Sequence, residues 1–233
     1  MESHKNLKGT WTQALATFLI PLVLLLSVRW LLIEPFVIPS ASMLPNLLIH
    51  DHVLVKKFAY GIRLPLSDHW ILRWSQPKRG DIVVFRYPED PKVFYIKRII
   101  GVPGDSIQVQ DGRVSLEGIP KKLQDEKVDS DGMHQFKEDH YRVQFRSQAA
   151  MTDSLVENFE VPQGSYFVMG DNRDYSADSR VWGFLSQDLL VGPAWVIWLS
   201  CEKTLPTLKF LCDPAQIRWE RIFKKLDKVD SAS

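Results

Sequence analysis

The chain has 233 residues, 45% of them hydrophobic and 24% charged, and a net charge of +1. That length holds one sizeable domain, or one domain carrying a smaller insertion. The near-neutral balance implies no strongly basic or acidic partner, and no basic patch interleaved with aromatics points to nucleic acid.

The first element is apolar. Twenty residues without charge, Gly9 to Val28, follow Lys8, and Trp30–Ile33 extends the apolar character beyond Arg29. This predicts a transmembrane helix over residues 10–33 behind a short cytoplasmic tail, residues 1–9. Arg29 can snorkel toward the headgroups, and a membrane span tolerates Pro21. A cleaved signal peptide has a shorter apolar core, about 7–15 residues. Lys5 and Lys8 before the span and Glu34 after it favour a cytoplasmic N-terminus, which leaves the rest of the chain outside the cytoplasm. Leu189 to Ser200 is too short for a second span and reads as a buried strand.

Immediately after the span comes Val37 to Asn46, VIPSASMLPN. Ser40-Ala41-Ser42 reads in two ways: as a small-x-small site where a signal peptide is cut, or as a nucleophile held just outside a membrane. Strand signals then dominate. Asp51 to Phe58 alternates at Val53 and Val55; Gly80 to Tyr87 and Lys92 to Ile100 are rich in β-branched and aromatic residues, bounded by Pro and Gly. Asp111-Gly112 marks a hairpin. Residues from about 119 to 159 are more polar and belong to an inserted subdomain. Buried strands return at Gly164 to Asn172 and at Leu189 to Ser200. Ile62 to Trp74 reads as a membrane-facing loop carrying Leu64, Leu66, Trp70, Ile71, Leu72 and Trp74. Trp219, Ile222, Leu226 and Val229 recur at helical spacing beside basic residues, as in an interfacial amphipathic helix; the alternative for both segments is packing on the β core. Cys201 and Cys212 bracket Pro206 and are either a disulfide or two buried thiols.

A serine needs a base. His50 and His52 flank Asp51 without a triad-like arrangement and read as polar residues at a strand entry. A lysine serves only if it is neutral, which requires burial. Strand alternation puts Val93, Tyr95, Lys97 and Ile99 on one face, so Lys97 shares a largely apolar surface. The alternative is a packed stem with its ammonium in water. Gly170 to Phe184 crowds Asp171, Arg173, Asp174, Asp178 and Arg180 into one segment, either a solvated loop or a network that fixes a site.

PSASMLP, GDIVVF, YIKRIIGVPGD and GDNRDYSADSRVWGF occur in this order. Together they resemble the boxes of bacterial type I signal peptidases, over the region after the span to about Gly104 and again from Gly164 to Ser200. The resemblance implies a Ser–Lys serine endopeptidase that removes signal peptides after small-x-small sites. It implies Ser42 as nucleophile, Lys97 as general base, Ser40 with the Ser42 N–H as oxyanion hole, Ser176 as the hydroxyl that orients Lys97, and Asp178 with Arg180 as a supporting charge pair. It places Phe36, Ile38, Met43, Val84, Tyr95 and Ile96 on the walls of shallow substrate pockets. Asn46 departs from the family's hydroxyl residue, with little effect expected, and the C-terminal segment has no assigned role. The expected fold is mostly β: a barrel- or sandwich-like catalytic core (residues 34–104 and 164–200), an inserted β subdomain (105–163) and a C-terminal extension (201–233). The expected partners are membrane lipids and secretory preproteins, with no obligate protein partner, no cofactor and no metal, at the bacterial inner membrane. Two other readings share some of these features: a self-cleaving Ser–Lys repressor, which carries a DNA-binding domain where this chain has its apolar segment, and an inactive anchored binding protein, in which loss of Ser42 or Lys97 is expected.

Overall fold

A computed structural model describes residues 11–63, 70–129, 132–145, 156–205, 208 and 210–226. Leu64, Leu66, Pro206, Val229 and the tail before residue 10 lie outside the described residues. The apolar segment forms helix α1 (Trp11–Leu32), with Pro21 inside it. Its described side chains stand outward, Trp11, Phe18 and Ile20 among them. Among the described residues no helix is long and apolar enough to cross a membrane.

In chain order the strands are β1 (Ile33–Val37), β2 (Asp51–Lys56), β3 (Gly61–Arg63), β4 (Trp70–Arg73), β5 (Ile82–Arg86), β6 (Phe94–Gly101), β7 (Ser106–Gln110), β8 (Arg113–Leu116), β9 (Ile119–Pro120), β10 (Leu123–Val128), β11 (His134–Glu138), β12 (Tyr141–Phe145), β13 (Glu157–Glu160), β14 (Ser165–Met169), β15 (Leu185–Ser186), β16 (Leu190–Ser200) and β17 (Lys224–Lys225). A short helix, α2 (Ser179–Trp182), precedes β15. Eight strands make the main sheet in the order β1-β2-β16-β5-β6-β14-β15, with β17 added beside β16. Its two ends do not meet, so the mostly β, barrel- or sandwich-like core expected takes the form of a curled half-barrel with smaller sheets beside it. Between β6 and β14 the chain builds two smaller sheets, β13-β7-β8-β9 and β10-β11-β12.

The β5 residues show why the sheet is stable. Ile82 and Val84 pack into one core cluster with Ile38, Met43, Leu47 and Val53. Val83 and Phe85 pack into another with Tyr60, Ile99 and Tyr166. Both faces of this strand are therefore dry, consistent with its continuous apolar sequence. The Asp111-Gly112 hairpin forms between β7 and β8, both residues at positive φ (50° and 71°), as a tight two-residue turn requires.

Two expectations are corrected. The segment from Ile62 to Trp74 carries the β3–β4 pairing at its ends rather than being a plain loop. Ile71, Leu72 and Trp74 are exposed there, while Trp70 packs against the core. No amphipathic helix forms over residues 219–226. Trp219–Arg221 makes a single 3-10 turn. Phe223 then adopts a positive φ of 62°, and β17 pairs with Val196 and Ile197. Leu226 is buried in the first core cluster, so edge pairing and its burial outcompete the helical periodicity.

Candidate active site

The turn carrying Ser42 fills the gap between β1 and β2. Ala41–Met43 forms one 3-10 turn after an extended Ser40, and the Leu44–Pro45 peptide is cis. Met43 and Leu47 are fully buried, which pins the turn to the sheet from below. The segment after β14 holds it from the side. The Asn172 N–H donates to the Ser42 carbonyl and the Asn172 Nδ2 to the Ala41 carbonyl, both at 3.1 Å. Gly170 permits this approach: a Cβ there would stand 2.3 Å from Ser176 Oγ and 2.5 Å from the Ser42 carbonyl oxygen.

Strand β6 brings Lys97 to the serine. Lys97, 4% exposed, donates from Nζ to Ser42 Oγ at 2.7 Å. Burial lowers its pKa from the usual 10.5 to about 8; Asp178 and Asp171 pull it back upward, and Arg180 adds to the lowering. A substantial fraction is thus neutral near physiological pH, which an exposed lysine is not. Ser40 Oγ lies 3.4 Å from Ser42 Oγ. The expected contact of Ser176 with Lys97 does not form. The Ser176 hydroxyl is buried. It sits against Gly170, on the side of the Asp178 carboxylate.

Asp178 and Arg180 pair as expected, Nε to Oδ1 and Nη2 to Oδ2 both at 2.8 Å. Burial alone raises the Asp178 pKa; the Arg180 hydrogen bonds and charge, with the Gly170 N–H, outweigh it and hold the carboxyl below its ordinary value. Of the other charges in that segment, Asp171 and Arg173 find distant partners. Asp171 takes a two-pronged contact from Arg98 at 2.7 and 2.6 Å, both side chains 1% exposed. Arg173 donates to Glu138 of the subdomain at 2.8 Å and to the Gly112 carbonyl at 2.6 Å.

The six expected pocket residues divide. Ile38, Met43, Val84 and Ile96 are buried in one cluster, with Phe36 packed against it. Ile38, Met43 and Val84 are at most 1% exposed, so they form a floor rather than open walls. Phe36 and Tyr95 are half-buried. The Tyr95 ring lies 5.5 Å from Lys97 Nζ and stacks on Tyr87.

Two positions make contacts that were not expected, Asn46 among them, where little effect was expected. Asn46 Nδ2 donates at 2.6 Å both to the Arg142 carbonyl and to Asp171, tying the loop after Ser42 to the subdomain and to the Arg98 pair. Arg221 reaches back from the C-terminal extension to Asp51 Oδ1 at 3.1 Å, to Asp51 Oδ2 at 2.5 Å and to the Asn46 carbonyl at 3.0 Å. Asp51 in turn accepts from the Leu48 N–H at 2.8 Å and the Ser200 hydroxyl at 2.6 Å, so the loop after Ser42 is braced from both ends. These contacts join residues far apart in sequence, and only the basic character of the C-terminal segment hinted at one of them.

Comparison with known proteins follows the same lines. Residues 11–199 match the family described as signal peptidase, peptidase S26. A signal peptidase I of Pseudomonas fluorescens is 41% identical over 199 residues, covering 77% of this chain and 69% of its own. Signal peptidase I of Rickettsia typhi is 35% identical, with 95% of this chain and 96% of its own covered. That of Rickettsia felis is 34% identical over 98% of each. The chain belongs to the signal peptidase family, peptidase S26.

Proposed function

We propose that this signal peptidase removes signal peptides by acyl transfer, with Ser42 as nucleophile and Lys97 as general base. The observation that carries the reading is the buried 2.7 Å contact between Lys97 Nζ and Ser42 Oγ. Neutral Lys97 takes the Ser42 proton as Oγ attacks the scissile carbonyl. The developing oxyanion is met by the Ser42 N–H and the Ser40 hydroxyl; removal of one such donor typically costs on the order of 10²–10³ in rate. Lys97 then protonates the leaving amine and activates the water that releases the acyl-enzyme. Asp178 and Arg180 keep the wall behind Lys97 in shape, and Ser176 acts on that wall rather than on the amine.

The substrate is a secretory preprotein whose cleavage site carries small residues. Phe36 and Tyr95 flank the cleft above the floor of Ile38, Met43, Val84 and Ile96, a surface without room for large side chains. Residues 10–33 act as a single membrane anchor with the N-terminus in the cytoplasm, which holds the catalytic sheet on the outer side of the bacterial inner membrane. The charge-free run from Gly9 to Val28 and the outward apolar side chains of α1 support this; over its described residues α1 itself falls short of the length and apolarity of a span.

The test is cleavage of a preprotein bearing an Ala-x-Ala site by purified full-length protein in detergent. Ser42→Ala and Lys97→Ala should each lower turnover by about 10³-fold or more. Wild-type-like cleavage by either variant ends the dyad assignment.

A further inference from the structure

Asn46 stands four residues after Ser42, an amide where the family resemblance has a hydroxyl. Its Nδ2 meets two acceptors, the Arg142 carbonyl oxygen and Asp171 Oδ2, each at 2.6 Å. Neither acceptor can donate, so they fix which end of the amide is the nitrogen, and each commits one of its two N–H bonds. A hydroxyl carries a single proton and serves only one of the two.

These contacts close a ring around Ser42 and Lys97. Lys97 and Arg98 are consecutive on β6. Lys97 reaches Ser42 Oγ directly at 2.7 Å, while Arg98 holds Asp171 at 2.7 and 2.6 Å and Asp171 accepts from Asn46. The turn is therefore gripped at Ser42 and again at Asn46 from neighbouring residues of one strand. Strand β12 of the inserted subdomain gives the second support. Its Arg142 carbonyl accepts from Asn46, and its Gln144 N–H donates to the Asp171 carbonyl at 2.9 Å, beside a parallel bridge between Gln144 and Asn172. Asn172 in turn donates to the Ala41 and Ser42 carbonyls at 3.1 Å. Thus β12 reaches the turn at both ends, through Asn172 and through Asn46. The Arg98 and Asp171 side chains are 1% exposed, so water does not compete for this network. From the far side Arg221 donates to the Asn46 carbonyl at 3.0 Å, and the extension that carries it is fastened by a disulfide, Cys201–Cys212, with Cα atoms 5.6 Å apart.

We propose that Asn46 is a positioning residue for the Ser42–Lys97 pair, and that through its two donated hydrogen bonds the inserted subdomain sets where Ser42 Oγ stands relative to Lys97 Nζ. The inference rests on the dyad reading given above. The Asn46 amide acts through Asp171 and Arg142 and not on the reacting atoms. Its loss therefore changes reactive geometry rather than substrate binding, so kcat falls while KM stays. A displacement of about 1 Å at a reacting group costs on the order of 10²-fold. A turn still held by Asn172 moves less, and a loss of about tenfold is expected.

The test is steady-state cleavage of a short soluble peptide with an Ala-x-Ala site by full-length protein in detergent, well below the melting temperature of each variant. Asn46→Ala and Asn46→Asp should each lower kcat about tenfold at unchanged KM. Asn46→Asp keeps the shape of the side chain and removes both donors, which separates donation from packing. Asn46→Ser keeps one donor and should fall between wild type and Asn46→Ala. It also decides the matter where Asn46→Ala does not fold: a lowered kcat supports the proposal, and a wild-type kcat overturns it. A lowered melting temperature with wild-type kcat in Asn46→Ala, or a loss carried by KM alone, likewise overturns it. Ser42→Ala is measured alongside. It stays inactive if only the Asn46 assignment fails, whereas cleavage by it removes the dyad reading and this inference together.

Discussion

Lys97 is held where its charge is least welcome, and both catalysis and stability inherit that fact. In the proposed mechanism only the neutral amine accepts the Ser42 proton, and burial brings its pKa to about 8. Turnover at low substrate should therefore rise through about pH 8 and level above it; a flat profile from roughly pH 6 to 10 would sink the lysine-base assignment. Stability moves in the same direction. Between about 8 and the ordinary value of 10.5, the unfolded chain binds a proton at Lys97 that the folded chain lacks, so folding becomes more favourable as pH rises. Lys97→Met should abolish cleavage yet stabilise the fold at neutral pH by up to about 3 kcal/mol, visible as a raised melting temperature without that pH-dependent gain. Lys97 was legible because alternation along one strand placed it on an apolar face. Asn46 was not legible. Its partners, Arg142 and Asp171, lie 96 and 125 residues away, and no local pattern encodes such a meeting. Ser176 was assigned from resemblance alone, and its hydroxyl lies against Gly170 and not on the amine.

At the scale of elements, the strands were readable and the C-terminal segment was not. Alternation in β2 and β6, the continuous apolar run of β5 and the turn residues of the β7–β8 hairpin specify these elements locally. The helical spacing of Trp219, Ile222 and Leu226 was equally regular, but a free edge at β16 captured Lys224 and Lys225. The segment acts instead as a brace on the loop that follows the nucleophile. Arg221 sits between the buried Asp51 carboxylate and the Asn46 carbonyl. Its removal leaves that carboxylate with only the Leu48 N–H, the Ser200 hydroxyl and its surroundings to offset burial. Arg221→Ala should destabilise the protein by about 2–4 kcal/mol and lower kcat about tenfold, with Arg221→Lys recovering little because a single ammonium cannot span both partners. Denaturant unfolding and steady-state cleavage read both effects; an unchanged midpoint together with unchanged kcat removes the brace.

The whole molecule couples a curled sheet to an apolar helix by the shortest connection available, since α1 ends at Leu32 and β1 begins at Ile33. A nucleophile only ten residues beyond that junction has little freedom to leave the plane in which the helix ends. If α1 is the anchor proposed above, a substrate carried by the same bilayer meets the serine at a raised effective concentration without an added contact. Deleting residues 2–32 should therefore lower the cleavage rate of a vesicle-inserted preprotein on the order of 10²-fold, while a short soluble peptide with the same site loses much less. Equal losses on both substrates would assign α1 a folding role instead. This architecture was legible as composition: a charge-free run followed by strands. The open curl of the main sheet was not, because closure depends on whether its first and last strands meet, and no single strand records that.

The β5–β6 hairpin has one further consequence. Lys97 and Arg98 are neighbours on β6, opposite Val83 and Ile82, and they reach to different sides: one to Ser42, the other to Asp171. A slip of one residue in that pairing would put either Arg98, which never gives up its proton, or the apolar Ile96 where Lys97 stands. An insertion or deletion in the turn at residues 87–93 thus rewrites the chemistry of the serine without touching any residue of the cleft. In the proposed mechanism the pairing register of this hairpin is itself a catalytic determinant.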